Sequence, residues 1–284
     1  MKKNLCNFKL IQNEGIYTPP PVGLSIEFQV FEARYSRSRH VDSAEATRDN
    51  EREQADGVLM IRLEKVAKVY SLGEVEVRAL DGVTLTIERG EFVALVGPSG
   101  CGKTTLLNLM AGIDRPTSGE VWLDEERLDR LSDDSLTRLR RGSIGIVYQF
   151  FNLLPTLTAR ENVALPLLLN GLRRSDIEGR VEQWLQRVGL THRAAHWPHE
   201  LSGGEQQRVA IARAMVVGPR VILADEPTGN LDSASGEAVL DMLGRLNQDQ
   251  GQTIVLATHS QEAMKRAGRI VRLRDGRIKG IEES

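Results

Sequence analysis

Short runs of apolar residues, separated by glycine, proline and charged residues, mark the chain from Val58 onward. Residues 83–88 alternate between apolar and polar side chains, which predicts a strand with one buried face. Residues 92–96, 221–224 and 253–257 are apolar almost throughout, which is typical of parallel strands buried on both faces. The pattern therefore indicates an α/β protein with several core strands.

Helical signals lie between these strands. Residues 103–110 follow a strand and a glycine-rich turn and are predicted to form a helix. Ser175 and Glu178 have the spacing of a capping box. The apolar residues behind them share one helical face: Ile177, Val181, Trp184, Leu185 and Val188. We predict a helical subdomain at about 150–218, inserted into a catalytic core that contains the sheet.

An Asp-Gly pair between two apolar segments near the C-terminus predicts a hairpin.

The first 57 residues show no sustained period. They contain three consecutive prolines at 19–21 and a stretch of mixed charge and amides at 50–54. Such a segment buries too little apolar area to offset the entropy cost of ordering. Residues 1–57 are therefore predicted to be a disordered or poorly ordered extension, and residues 58–284 to form the folded domain. Two alternatives stay open: a partner-binding arm, and a natural translation start near Met60.

The composition is that of an ordinary soluble globular protein. The 284 residues suffice for one large domain or two small ones, with 40% hydrophobic and 27% charged residues. The formal net charge of -2, with acidic and basic residues interspersed, gives no reason to expect a nucleic-acid partner. Cys6 and Cys101 lie far apart in the sequence, which disfavours a disulfide framework and favours a reducing compartment.

The hydrophobic segments are too short or too interrupted for a membrane span. A span needs about 18 consecutive apolar residues, and the longest candidate, residues 153–172, contains prolines, charges and asparagines. The N-terminus lacks the apolar core of a signal peptide. We therefore expect a cytoplasmic protein. If it powers transport, the membrane pore belongs to another chain.

A glycine-rich loop after the strand at 92–96 matches the phosphate-binding pattern G-x-x-x-x-G-K-[ST]. In such a loop the backbone N–H groups curl around phosphates, and the following helix points its positive end at them. Lys103 is expected to neutralise β- and γ-phosphate charge, and the Thr104 hydroxyl to ligate Mg²⁺. The candidate ATP-binding residues of the loop are Gly97, Pro98, Ser99, Gly100, Cys101, Gly102, Lys103, Thr104 and Thr105.

Two adjacent carboxylates follow the apolar run at 221–224. Asp225 ends a predicted buried strand, so its carboxylate is expected near the phosphates, where it can hold Mg²⁺ directly or through water. Only one of these two carboxylates is needed to hold Mg²⁺. Glu226 is therefore predicted to act as the general base that polarises the attacking water.

Residues 201–207 read Leu-Ser-Gly-Gly-Glu-Gln-Gln, and a helix is predicted to begin at this pair of glycines. Ser202 and Glu205 have capping-box spacing. Gly203 and Gly204 carry no side chains, so a phosphate could approach the backbone N–H groups and the positive end of the helix. The chain already has a complete phosphate loop. This second helix start therefore suggests contact with a nucleotide held by another molecule.

The three motifs in this order resemble the ATPase subunit of an ABC transporter, and the resemblance runs from about Met60 to the C-terminus. It implies an α/β P-loop NTPase core with a mixed β-sheet, an antiparallel β-subdomain and an inserted α-helical subdomain. ATP and Mg²⁺ are the implied cofactors. The implied partners are a second copy of the chain in the ATP-bound state and an integral membrane permease, with no nucleic acid. The implied location is the cytoplasmic face of the inner (cell) membrane.

The resemblance also assigns roles to single residues. In such ATPases the Leu-Ser-Gly-Gly-Glu motif at the start of this helix is called the signature, and the signature of one subunit covers the ATP held by its partner. The resemblance implies that role for Ser202, Gly203, Gly204 and Glu205. It further implies that Tyr70 stacks on adenine, that Gln149 senses Mg²⁺ and water and links to the permease, that His259 contacts γ-phosphate, and that Asp232 communicates across the dimer. The chain departs from the commonest pattern at Ser260, where an acidic residue is frequent, and at Phe151.

Several local strings resemble the lipoprotein-releasing and macrolide-exporting group within this family. They lie at residues 73–80, 157–163 and 223–232. The implied function is export or extraction of lipophilic or peptidic cargo by a separate permease, and the cargo itself is not encoded in this chain. One alternative is a soluble ABC ATPase that acts on ribosomes or DNA. Another is a nucleotide-binding regulator without turnover, which Glu226 and His259 disfavour.

Overall fold

The computed structural model describes residues 59–73 and 75–283. The predicted extension at 1–57 lies outside these residues. Within the described part, no helix has both the length and the apolar character needed to span a membrane.

A four-stranded antiparallel sheet forms the first layer. Its order is β2-β1-β4-β5, with β1 at Leu59–Leu72, β2 at Val75–Glu88, β4 at Ser118–Leu123 and β5 at Glu126–Arg127. The predicted alternation in β2 is confirmed, because Val83, Leu85 and Ile87 are buried and the residues between them are exposed. This sheet therefore presents one apolar face to the rest of the domain.

A six-stranded mixed sheet forms the centre. Its order is β10-β9-β3-β8-β7-β6, and all its strands are parallel to their neighbours except β10, which is antiparallel to β9. The strands span Phe92–Val96 (β3), Ile144–Val147 (β6), Val221–Asp225 (β7), Thr253–Thr258 (β8), Arg269–Arg274 (β9) and Arg277–Glu283 (β10). The three strands predicted from apolar runs are thus confirmed as β3, β7 and β8.

The predicted Asp-Gly hairpin joins β9 to β10. Asp275 and Gly276 both have positive φ angles, 51° and 70°. This is the backbone conformation of a type I′ turn, which favours Asp-Gly because its twist matches that of the paired strands.

Seven α-helices occur in the described residues. They span Lys103–Met110 (α1), Asp133–Ser143 (α2), Ala159–Leu169 (α3), Arg174–Arg187 (α4), Gly203–Met215 (α5), Ser233–Gln250 (α6) and Gln261–Met264 (α7). α1 is confirmed over the residues predicted for it. α3, α4 and α5 lie within the range predicted to be a helical subdomain, whose boundaries stay a prediction.

The predicted capping box at Ser175 and Glu178 is wrong. Arg173 is the N-cap residue of α4, and the helix starts at Arg174, so Ser175 already lies in the first turn. There its hydroxyl donates to Asp176 instead of capping the helix. A capping box does form one helix earlier, between Thr158 and Glu161 at the start of α3.

Three buried clusters hold these layers together. The first packs the antiparallel sheet and α1 against one face of the mixed sheet, through residues such as Leu63, Leu85, Leu106, Leu109, Leu95 and Val255. The second packs α5 and α6 against the other face, through Ile211, Val239, Leu243, Ala94, Ile222 and Ile254. The third joins α3, α4 and α5 through Val163, Leu167, Val181, Leu185, Val209 and Ala212. Trp184 packs against the second and third clusters, as predicted for a core residue.

Candidate active site

The loop between β3 and α1 is shaped by close backbone contacts at its glycines. A Cβ on Gly102, whose φ is 108°, would lie 2.6 Å from the carbonyl oxygen of Ala79 in β2. A Cβ on Gly97 would overlap the backbone of Leu273 in β9. Only glycine fits at either end, so the loop packs closely against β2 and β9.

Lys103 bridges this loop from the first turn of α1. Its side chain is largely buried, and Nζ donates to the carbonyl oxygens of Gly97 at 2.8 Å and Pro98 at 3.2 Å. Gly102 precedes the helix and offers no side chain to cap it. The first N–H groups of α1 are therefore free to bind an anion, next to a cation already held in place.

Asp225 stands at the end of β7, beside the loop. Burial raises the pKa of its carboxyl group and the neighbouring charge of Glu226 adds to the rise, while the Thr104 hydroxyl and Lys103 oppose it. Its Oδ1 atom is buried and has no hydrogen-bond partner among the described residues. A hydroxyl and an unpartnered carboxylate oxygen side by side are ligands that suit Mg²⁺.

The described residues contain no cluster of three His, Cys, Asp or Glu side chains that could hold a metal. A cation between Thr104 and Asp225 would therefore need further oxygen ligands from phosphate and water. Magnesium sites in phosphate-transferring proteins have this composition, with one or two carboxylates, retained waters and the substrate's own oxygens.

Glu226 adopts a left-handed backbone conformation, with φ of 46°, and its N–H donates to the carbonyl oxygen of Ala257. The carboxylate lies between two potential cations. Oε2 is 2.9 Å from Nδ1 of His259, and Oε1 is 3.8 Å from Nζ of Lys103. Non-glycine residues in this conformation are uncommon and cluster at functional sites. Asp225 contacts the Thr104 hydroxyl, whereas Glu226 contacts His259 and faces Lys103, so the adjacent acids can serve different purposes.

Gln149 follows β6 and lies beside the loop that leads into α6. Its Nε2 donates to Oδ1 of Asn230 at 3.2 Å, and Nδ2 of Asn230 donates back to the carbonyl oxygen of Gln149. Asp232 caps α6 by accepting from the N–H of Ser235, and this hydrogen bond lowers the pKa of Asp232. The structure thus joins the Gln149 and Asp232 segments through Asn230.

The predicted capping box at Ser202 and Glu205 is confirmed at the start of α5. The Ser202 hydroxyl accepts from the N–H of Glu205, and the Glu205 carboxylate accepts from the N–H of Ser202, which lowers the pKa of Glu205. Ser202 is exposed. A Cβ on Gly204 would lie 2.8 Å from Oγ and 2.9 Å from Cβ of Ser235. Gly204 is therefore also required for close packing of α5 against α6 within one chain.

Tyr70 lies near the end of β1, and its ring is held by groups that the sequence analysis did not identify. Its hydroxyl donates to Asp114 at 2.8 Å, and Nζ of Lys68 lies 4.8 Å from the ring centre. Lys68 also donates to Asp114 at 2.6 Å. Burial and the bond to Asp114 raise the pKa of the Tyr70 phenol, and a hydrogen bond to Thr105 opposes this rise. Lys68 could have been inferred from its position two residues before Tyr70 on the same strand face.

Comparison with known proteins identifies the family to which this site belongs. The sequence model of the ABC transporter family matches residues 80–229. The lipoprotein-releasing system ATP-binding protein LolD of Geobacter metallireducens is 49% identical over 219 residues, which are 77% of this chain and 97% of that protein. The chain belongs to the ABC transporter family.

Solved structures of the same family match the fold. The ATP-binding cassette MJ0796, a dimer in a post-hydrolysis state bound to ADP and Pi, is similar with a TM-score of 0.74 and 44% identity, over 79% of this chain and 98% of that one. The cbiO1 protein of Clostridium perfringens, part of the ABC transporter complex cbiONQ, is similar with a TM-score of 0.72 and 31% identity, over 79% of this chain and 88% of that one.

The predicted fold and enzyme class are thereby confirmed. The chain is an ATP-binding and ATP-hydrolysing subunit of an ABC transporter, with the predicted α/β P-loop core. The matched range at 80–229 includes the phosphate loop, the signature and both acids, whereas Tyr70 and His259 lie outside it. The roles of individual residues stay predictions.

Proposed function

We propose that the chain works as a homodimer that binds two ATP molecules with Mg²⁺ between its subunits and uses their hydrolysis to drive a separate membrane permease. The observation that carries the proposal is the position of Glu226. Its carboxylate lies between Lys103 and His259, and its chain neighbour Asp225 has a buried oxygen without a partner among the described residues. A base is thus held near both the phosphate-binding loop and the candidate metal ligands.

Each subunit supplies the phosphate-binding loop, the metal ligands and the general base of one ATP site. The loop, Lys103 and the start of α1 bind the phosphates, while Thr104 and Asp225, with Gln149, hold Mg²⁺, which neutralises phosphate charge when bound. Glu226 orients and polarises the attacking water, and His259 holds the Glu226 carboxylate in position and contacts the γ-phosphate. Tyr70 stacks on the adenine, and Lys68 and Asp114 fix the orientation of its ring.

The second subunit completes this ATP site with its signature. Among the described residues, the starts of α1 and α5 both carry glycines that leave room for an anion, and the α1 start adjoins the acidic pair through Thr104 and Lys103. A head-to-tail dimer brings the α5 start of one subunit onto the nucleotide of the other. The dimeric state of MJ0796 with ADP and Pi supports this arrangement.

An exposed apolar surface beside Gln149 supports a membrane permease as partner. Phe150, directly after Gln149, is 73% exposed, the largest value among the exposed large apolar residues of the described part, and Leu154 is 43% exposed. Membership of cbiO1 in a transporter complex supports the same role. The subunit then lies on the cytoplasmic face of the cell membrane, bound through the permease.

The similarity to LolD favours a lipophilic cargo, and a lipoprotein is the most specific candidate. A soluble ABC ATPase that acts on ribosomes or DNA would bind a different partner, so an experiment on the surface around Phe150 tests the permease proposal.

The test is co-purification of the chain with an integral membrane protein after detergent solubilisation of membranes. Phe150→Glu should abolish this association, because a charge in an apolar interface carries a large desolvation cost. Ile281→Glu is the matched control, since Ile281 is also an exposed apolar residue, on β10. Association with ribosomes or DNA, or equal behaviour of the two variants, would contradict the permease proposal.

A further inference from the structure

Arg213 lies near the end of α5, the helix that begins at the signature, and carries a side chain that the fold has not paired with an acid. Its guanidinium donates to the carbonyl oxygen of Phe151 at 2.8 Å and to that of Asn152 at 2.5 Å. Burial lowers its pKa, and Tyr148 is the only charged or titratable neighbour that affects it among the described residues. Such an arginine is held by backbone carbonyls alone.

The two carbonyls belong to a strained stretch of chain. Phe151 and Asn152 both have left-handed backbones, with φ of 58° and 49°. Left-handed conformations are tolerated by asparagine but unfavourable for a bulky side chain such as phenylalanine. A conformation of this kind persists only where its surroundings enforce it. The guanidinium of Arg213 is the group that binds both carbonyls.

A second side chain of α5 holds the other end of the same stretch. Gln207 is fully buried, and its Nε2 donates to the carbonyl oxygen of Tyr148 at 3.2 Å. The ring of Phe151 lies 3.6 Å from the position that a Cβ on Gly203 would occupy. The stretch from Tyr148 to Asn152 is therefore fastened to the signature helix at both ends, and Gln149 lies between them.

We propose that Arg213 is a positioning residue that couples the signature helix to Gln149. The inference rests on the function proposed above, in which the signature of a subunit contacts its partner's ATP while Gln149 contacts the subunit's own. A shift of α5 on contact with the partner's nucleotide then moves Gln149 as well. Each subunit thus transmits the occupancy of one ATP site to the other.

A double-mutant cycle tests this coupling through the turnover rate. Arg213→Met removes both hydrogen bonds and should lower kcat about 10-fold, since small displacements of a catalytic group are costly. ATP binding to the phosphate loop should stay within about twofold of wild type, because Arg213 does not contact the loop. In a Gln149→Ala background the same change should have no further effect on kcat. The Hill coefficient for ATP should fall toward 1 in Arg213→Met.

Arg115→Met is the matched control. Arg115 also donates to two backbone carbonyls, those of Asp129 and Leu131, and forms an ion pair with Asp133, with no hydrogen bond to residues 148–152 among the described residues. This variant should keep the wild-type Hill coefficient. If Arg213→Met does not fold, Arg213→Lys, which keeps the cation and can reach one carbonyl, takes its place in the cycle.

The results separate failure of this inference from failure of the proposed function. If Arg213→Met has wild-type kcat, or if its effect multiplies with that of Gln149→Ala, Arg213 does not act through Gln149 and the inference is wrong. If Gln149→Ala alone has wild-type kcat, the role proposed for Gln149 is wrong, and the inference is overturned with it.

Discussion

Glu226 lies within reach of both His259 and Lys103, so its negative charge can polarise a water molecule near the phosphates. Glu226→Gln keeps the shape of the side chain but removes the base. Turnover should fall by on the order of 10²–10⁴-fold, while ATP binding is retained and an ATP-bound dimer accumulates. Steady-state ATPase assays and size-exclusion chromatography with MgATP measure the two effects.

Glu262→Gln is the control for this change. Glu262 is an exposed carboxylate on α7 that forms an ion pair with Lys265, three residues further on, so the variant should behave like wild type. Near-normal turnover of Glu226→Gln would remove Glu226 from the proposed role.

Asp225 should lower the stability of the nucleotide-free protein. Burial raises the pKa of its carboxyl group above the unfolded value, so the native state binds more protons than the unfolded state in the window between the two pKa values. Stability therefore falls as the pH rises through that window. Asp225→Asn removes this penalty and should raise Tm at neutral pH, while Mg²⁺-dependent hydrolysis is lost.

Thermal melts in EDTA at several pH values test the Asp225 prediction. The gain in Tm should shrink as the pH falls, because the wild-type carboxyl then becomes protonated in the native and the unfolded state alike. A variant that melts below wild type at neutral pH, or one that still hydrolyses ATP normally, would refute it.

Residues that share a local motif with their chain neighbours were predictable. The phosphate loop, the acid pair and the signature each occupy one turn between a strand and a helix, or the start of a helix, so their spacing is visible in the sequence. Asp114 and Arg213 act on partners 46 and 61 residues away, Lys68 and Asn152. Nothing in the local pattern indicates such contacts, because they depend on how the elements pack.

The start of α5 allows a test of the signature that leaves its helix intact. Aspartate and asparagine are both good N-cap residues, so Ser202→Asp and Ser202→Asn should both keep the cap on Glu205. Only the aspartate places a negative charge where the partner's γ-phosphate is expected. It should lower turnover and ATP-driven dimerisation by on the order of 10–100-fold, whereas the asparagine variant stays near wild type.

Equal activity of the two Ser202 variants would show that this position faces no phosphate. Position 204 is unsuitable for such a test. A side chain there would overlap Ser235 of the same subunit, so an aspartate at Gly204 would disturb the packing of α5 on α6 whether or not a nucleotide is nearby.

Elements were predictable where burial leaves a simple pattern. β3 and β8 are buried along their whole length and β7 is buried up to its last residue, Asp225, so their continuous apolar runs stand out. The start of α4 was misplaced because Ser175 imitates a cap inside the first turn. The pairing of β1 with β4 joins segments that are distant in the chain, and the pairings of β1 with both β2 and β4 include register shifts, so neither register could be inferred from the local sequence.

At the scale of the whole molecule, the catalytic domain should function without the first 57 residues. A shortened chain should begin at Val58 rather than Met60, because β1 starts at Leu59 and Met60 belongs to the core. We expect it to fold, bind ATP and hydrolyse it like the full-length chain, with little change in Tm. Insolubility or loss of nucleotide-dependent dimerisation would mean that the extension packs on the domain.

The central claim is that each hydrolysis site combines the phosphate loop of one subunit with the signature of the other. Lys103→Ala damages only the first component and Ser202→Asp only the second. Each variant alone should be nearly inactive. In an equal mixture, a heterodimer has one intact site, formed by the loop of the Ser202→Asp subunit and the signature of the Lys103→Ala subunit.

The ATPase activity of this mixture is the most direct measurement. Half of the dimers should be mixed and each should have one of two sites intact, so about one quarter of wild-type activity should return. Activity no greater than the sum of the two separate variants, or a Ser202→Asp variant that hydrolyses ATP at the wild-type rate on its own, would contradict the shared site.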